Sequence, residues 1–152
     1  MKVGYAYVPE DEGFVAKATG KEIRVKFKDA VEVCAAIRGM NAEDAKKYLE
    51  AVIDKKALVP VKKAKLQSGH KIGMKPYGFQ PIKVSGAILI VLKSAMANAE
   101  FRGLDVKNCI ISSAVALRGR KMRRMKPKGR HTVFESHLTT IQIFLEEVEE
   151  SE

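Results

Sequence analysis

The chain has 152 residues, a length that suits one domain, and its 46% hydrophobic content argues against wholesale disorder while the lack of tryptophan leaves a mostly aliphatic core. Lys and Arg number 28 against 18 Asp and Glu, so the net charge of +10 points to a polyanionic partner. Two cysteines, Cys34 and Cys109, each alone in an apolar context, exclude a disulfide framework and read as buried thiols in a reducing compartment. The opening residues show no signal-peptide pattern, because residues 1–8 run straight into acidic Glu10, Asp11 and Glu12. The longest apolar stretch, residues 84–99, is interrupted by Lys93 and falls short of the roughly 20 residues a bilayer span needs. Secretion and membrane insertion are therefore not expected.

In chain order, residues 1–20 have no clear period and read as an extended arm, with order beginning at Lys21. Ile23, Val25 and Phe27 then alternate with Arg24, Lys26 and Lys28, the period of a strand with one buried and one cationic face. Asp29 offers an N-cap for a short apolar helix through Ile37, with Gly39 placed for a left-handed C-terminal residue. Asn41 caps the next helix, with Glu43 and Asp44 in its first turn and Ala45, Tyr48, Leu49, Val52 and Ile53 as its inner stripe. Pro60 prevents its continuation, and residues 57–80, punctuated by glycine and proline, read as a long basic loop of the kind that usually carries function. Pro81 starts a third helix that runs to Arg102 and closes at Gly103, with Ile88, Leu92, Ala95, Met96 and Ala99 facing the core. Residues 108–117 and 138–148 read as strands, joined across residues 118–137 by a hairpin extending beyond the core. Residues 146–152 form an acidic tail expected to fray.

Positive charge concentrates in two blocks that contain no acid. The first holds Lys55, Lys56, Lys62, Lys63, Lys65, Lys71, Lys75 and Lys83 with His70; the second holds Arg118, Arg120, Lys121, Arg123, Arg124, Lys126, Lys128 and Arg130 with His131. One charge run is usually a solvated face. Two of this density repel internally unless a phosphate backbone accepts them, so nucleic acid is the expected partner. Arginine, which dominates the second block, grips phosphate bidentately or stacks on unpaired bases. Tyr77 and Phe79 are candidates either to stack on bases or to pack their loop onto the core.

Catalytic signals are weak. His70, His131 and His137 lack Cys or carboxylate partners at ligand spacing and read as donors to phosphate, so neither a metal site nor a cofactor is expected. Gly69-His70-Lys71-Ile72-Gly73 lacks the Gly-Lys-Ser/Thr ending of a phosphate-binding loop, and Ser112 and Ser113 sit inside a predicted strand. Two rival readings are a general nucleic-acid packaging protein, which needs no hairpin, and a phosphodiesterase using His131 or His137 as acid–base residue.

Several phrases resemble the large-subunit ribosomal protein family numbered twenty-two in bacteria and archaea and seventeen in eukaryotes. They are Val31-Glu32-Val33-Cys34-Ala35-Ala36-Ile37-Arg38-Gly39-Met40, residues 45–54, Ala95-Met96-Ala97-Asn98-Ala99-Glu100 followed by Gly103-Leu104-Asp105, and Ser136-His137-Leu138-Thr139-Thr140-Ile141. The insertion around residues 59–82 looks like the archaeal and eukaryotic branch, with an archaeal leaning. The resemblance implies a single α+β domain, three helices packed on a three-stranded antiparallel sheet with a long protruding β-hairpin. It implies a non-enzymatic role in the cytoplasmic ribosome, with large-subunit rRNA, neighbouring ribosomal proteins and the nascent polypeptide as partners. The rRNA contacts are expected from Lys62, Lys63, Lys65, His70, Lys71 and Lys75, then from Arg118, Arg120, Lys121, Arg123, Arg124, Lys126, Lys128, Arg130, His131 and His137. By the same resemblance, Met122, Arg123, Arg124, Met125, Lys126, Pro127, Lys128 and Gly129 form a hairpin tip that lines the peptide exit tunnel.

Overall fold

Order begins earlier than the hydrophobic alternation suggests. A computed structural model describes residues 4–9, 13–62, 72, 77–129 and 131–148. Its first strand, β1 (Val15–Ile23), lies within the stretch expected to be an arm, and the strand expected at residues 22–28 is instead a strand end, a turn and the start of α1 (Phe27–Ile37). The cause is pairing at a distance. Ala16, Ala18, Thr19 and Gly20 make no amphipathic stripe of their own, but β5 (Val133–Glu147) supplies their ladder, from Val15 opposite Glu146 to Gly20 opposite Ile141. Gly20 is needed there because a Cβ would come within 2.6 Å of the Ile23 and Val91 side chains. A bulge follows, with Glu22 at φ 52°, and turns the chain toward the helix. Val25 is still buried, so its place in the alternation reflects packing in a turn rather than in a strand.

Lys26 takes the N-cap position of α1 without a side-chain cap, and Asp29 sits in the first turn rather than at the cap. The chain leaves α1 through Gly39 at φ +80°, as the glycine predicts. Asn41 Oδ1 accepts the Glu43 N–H at 3.0 Å and opens α2 (Ala42–Ile53), whose Ala45, Leu49 and Val52 are buried. At the neck of the long insertion, β2 (Val59–Pro60) pairs with β3 (Gly78–Phe79), and Phe79 packs on the core. The buried carboxylate of Glu32 in α1 accepts the Lys62 N–H at 2.9 Å, tying that neck to the body.

The third helix, α3 (Ile82–Phe101), is long and apolar enough to cross a membrane by length and composition. It instead buries Ile88, Leu92, Ala95 and Ala99 completely, packing on β1, α2 and β5, and leaves Ile90 and Phe101 exposed on its other side. Gly103 at φ +80° ends it, and a 3-10 turn (Val106–Asn108) leads into β4 (Cys109–Met125).

The sheet order is β1-β5-β4, antiparallel throughout, so the last strand lies in the middle. Ile141, Ile143 and Leu145 of β5 share one core with Ala16, Ala18, Val33, Ile37, Leu49 and Leu92. Phe144, on the opposite face of β5, is covered by Tyr5 and Tyr7 at ring-centroid distances of 5.6 and 5.2 Å, and Gln142 bonds to the Ala6 N–H and the Gly4 carbonyl. Residues 4–7 of the expected arm thus lie on the protein's own sheet. Asn98 and Arg102 donate to the Lys17 and Val15 carbonyls on the β1 edge, while Arg38 donates to Ala114 and the Gly39 N–H to Ile111 on the β4 edge. The acidic end does not fray at Glu146, because β5 continues through Glu147, which accepts the Asp105 N–H.

Both cysteines are free and buried. Burial pushes the Cys34 thiol up to about 12 against an opposing pull from Arg38. Iodoacetamide at pH 8 should therefore leave Cys34 unmodified in native protein and label it after denaturation, read by mass spectrometry; labelling of the native thiol would contradict its burial. Leu92→Ala should cost about 2–5 kcal/mol in urea unfolding, whereas Ile90→Ala on the exposed side should cost under about 0.5 kcal/mol.

Candidate nucleic-acid interface

β4 and β5 remain paired well beyond the core, from Lys121 opposite His137 to Met125 opposite Val133, with a further bond from the Lys126 N–H to the Thr132 carbonyl at 3.1 Å. A bulge at Gly119 and Arg120 marks the departure from the body, where a Cβ on Gly119 would lie 3.2 Å from the Leu138 carbonyl oxygen. The strands close through Lys128 and Gly129, both at positive φ, 65° and 64°. Every described side chain from Arg120 to Ser136 is exposed, so this ribbon has no core of its own.

Directly opposed residues share a face, which makes the two sides of the ribbon chemically unequal. One carries Met122, Arg124, Phe134 and Ser136, with the Arg124 guanidinium 4.8 Å from the Phe134 ring centroid. The other carries Lys121, Arg123, Met125, Val133, Glu135 and His137. On that side Glu135 bonds Lys121 Nζ at 3.3 Å and Arg123 Nε at 2.9 Å. Lys121, and after it Arg123, hold the Glu135 carboxyl below the usual carboxylate range. The acid-free character of the second basic block is thus a property of its sequence only, because the returning strand sets a carboxylate across from it. Among the described residues, Arg120, Lys126, Lys128 and His131 have no ion-pair partner.

Where the ribbon leaves the body, a cleft of about 950 Å³ opens between it and the first turns of α1 and α3. Its walls include Arg24, Lys26, Lys28, Lys83, Arg118 and His137, with Asp29 and Glu135 as its acids. Arg118 lies 4.9 Å over the Phe27 ring, and Thr139 Oγ1 donates to the Val25 carbonyl at 3.0 Å, so ribbon base and helix start are fixed together. Arg24, Lys26 and Lys28 were absent from the residues anticipated for RNA contact, although their density within five residues is visible in the sequence. What was not visible is that the chain turns there and faces Arg118.

The first basic block is only partly described. Lys62 is exposed at the neck, and Tyr77 is half-buried with its carbonyl accepting the Val61 N–H at 3.1 Å. Lys63, Lys65, His70, Lys71, Lys75 and also Arg130 lie outside the described residues. Lys55 and Lys56 are exposed at the end of α2, where Lys56 pairs with Asp54 at 3.2 Å. No three His, Cys, Asp or Glu side chains converge among the described residues, and Ser112 donates weakly to the Phe144 carbonyl within the strand.

The chain is similar to large ribosomal subunit protein uL22 of Archaeoglobus fulgidus, 43% identical over 95% of this chain and 96% of that protein. The proteins of the same name from Methanosphaera stadtmanae and Methanocella arvoryzae are 42% and 40% identical, covering 94% and 97% of this chain and 96% and 98% of their own lengths. The family model described as ribosomal protein L22p/L17e matches residues 18–146, which takes in β1 from Ala18 onward, all three helices and the whole paired ribbon. By that match and by these archaeal relatives, the chain belongs to the ribosomal protein L22p/L17e family.

Proposed function

We propose that this protein is a non-enzymatic constituent of the large ribosomal subunit in the cytoplasm, that it binds and orders large-subunit ribosomal RNA, and that the far end of its ribbon lines the nascent-peptide exit tunnel. The observation that carries the reading is the cationic ribbon, fully exposed on both faces. Two paired strands without a core are marginal on their own, and their repelling charges favour an environment of phosphate. Arg124 and Phe134 form a platform on which an unpaired base stacks, and Arg120, Lys126 and Lys128 neutralise backbone. The Lys62 neck and the insertion beyond it add a second, lysine-based contact, and neighbouring ribosomal proteins complete the surroundings. At the tip, exposed Met122, Met125, Val133 and Phe134 between cations supply the mixed surface a passing polypeptide meets.

Binding of a large-subunit rRNA fragment across a salt series tests the RNA contact. Arg124→Ala should lower the slope of log K against log salt by about 0.7–0.9, the value for one released counterion, while Arg123→Ala should lower it less because Glu135 already offsets that charge. Equal slopes for Arg124→Ala and the parent protein would remove Arg124 from the interface. For the tunnel, a photo-crosslinker at position 125 should label a stalled nascent chain, and labelling of RNA alone would refute the lining role.

The Glu135 carboxyl should titrate below 4.5 by NMR and move up in Lys121→Ala. A depressed carboxyl contributes stability above its unfolded pKa and loses it as pH falls through its folded one, so this ion pair should weaken only at acid pH. Its full exposure makes that contribution small.

A further inference from the structure

We propose that the cleft at the base of the ribbon is a separate binding site for the sugar-phosphate backbone of RNA. The inference rests on the RNA-binding reading above and adds a site to it.

Three separate chain segments build the cleft: the turn into α1 brings Arg24, Lys26 and Lys28, the start of α3 brings Lys83, and the ribbon base brings Arg118 and His137. The Lys and Arg side chains among them border one space of about 950 Å³. Among the described residues, Arg24, Lys26, Lys28 and Lys83 have no ion-pair partner. Of the two acids among the described wall residues, Glu135 is already engaged by Lys121 and Arg123, which leaves Asp29 as the only described wall carboxylate without such a partner. Like charges gathered from three segments are unfavourable unless an anion enters between them.

The chemistry selects phosphate over a base. Among the described wall residues the rings are Phe27, whose face is covered by the Arg118 guanidinium, and the smaller imidazole of His137. That contact places the guanidinium 4.9 Å from the ring centroid, and a guanidinium carries N–H donors that suit phosphate oxygens. The first turns of α1 and α3 both border the cleft, and neither helix has a side-chain cap, so the N–H groups of their first turns, apart from that of Ile82, which donates to the Gln80 carbonyl, favour an anion. No base-reading group is involved, so the contact is independent of RNA sequence.

The experiment compares two double variants with the same loss of charge. Lys26→Gln with Lys83→Gln removes exposed cations from two walls of the cleft, and Lys47→Gln with Lys107→Gln removes exposed cations elsewhere. On a large-subunit rRNA fragment, the cleft pair should lower the salt slope by about 1.4–1.8 and weaken binding at least roughly tenfold, while the control pair should leave the slope near that of the parent. Equal slopes for both pairs, with Arg124→Ala still lowering it, would overturn the cleft site and leave the RNA-binding reading standing. A parent protein that does not bind the fragment would overturn both. As a readout without RNA, sodium tripolyphosphate should shift the amide resonances of Lys28 and Val84 in the intact protein more than those of Lys47 and Lys107. The reverse order would also count against the site.

Discussion

The ladder between β4 and β5 runs from Cys109 opposite Glu147 to Met125 opposite Val133, and its two ends sit in different surroundings. At the body end, the same backbone bonds are backed by Ile111, Ile141, Ile143 and Leu145, all completely buried. At the far end, no apolar layer lies against either face. The core therefore anchors one end of a two-stranded lever, and the remainder of the ladder is sustained by backbone hydrogen bonds, one ion-paired cluster and whatever surrounds it. The rest of the architecture follows: β5 occupies the middle of the sheet, where its ladder is protected on both sides, and the sheet edges are held by Arg38, Asn98 and Arg102.

Charge is arranged along that lever with a purpose that its composition conceals. A run of cations on one strand invites self-repulsion, and the protein answers with a single carboxylate on the returning strand, which serves both Lys121 and Arg123. An exposed pair of this sort contributes little to stability. Its effect is geometric, because it orders two flexible side chains on one face while the opposite face keeps Arg124 stacked on Phe134. Nearer the body the same strategy changes scale. Cations of the ribbon base and of two helix starts face a common cleft, and Thr139 and Phe27 hold the walls in register.

The long insertion is tethered by similar economy. A two-residue strand pair and one buried carboxylate, Glu32, secure its neck to α1. A carboxylate on the buried, otherwise apolar face of α1 is costly unless paired, and here it holds the Lys62 N–H. The helix thus fixes the neck at Lys62.

The sequence by itself determined the elements whose signals are local. Asn41 and its following acids marked α2, Gly39 and Gly103 marked the two helix exits, and the repeated apolar positions of α3 identified the face that became core, Met96 alone staying partly exposed. The strands of the ribbon were legible too, because β-branched residues flank an arginine block, and so was the polyanionic character of the partner, which is a sum over charges and needs no coordinates. Tertiary structure alone decided where β1 lies, since Ala, Thr and Gly carry no periodicity and become a strand only when β5 offers its edge. It also decided that Ile23 ends a strand, Val25 lies in a turn and Phe27 opens α1, that Tyr5 and Tyr7 cover Phe144, that Glu135 faces Lys121 and Arg123, and that Lys26, Lys83 and Arg118 border one cleft. The physical reason is common to all of these. They are relations between segments far apart in the chain, set by pairing register and packing, and a pattern read along one segment has no means of encoding its partner.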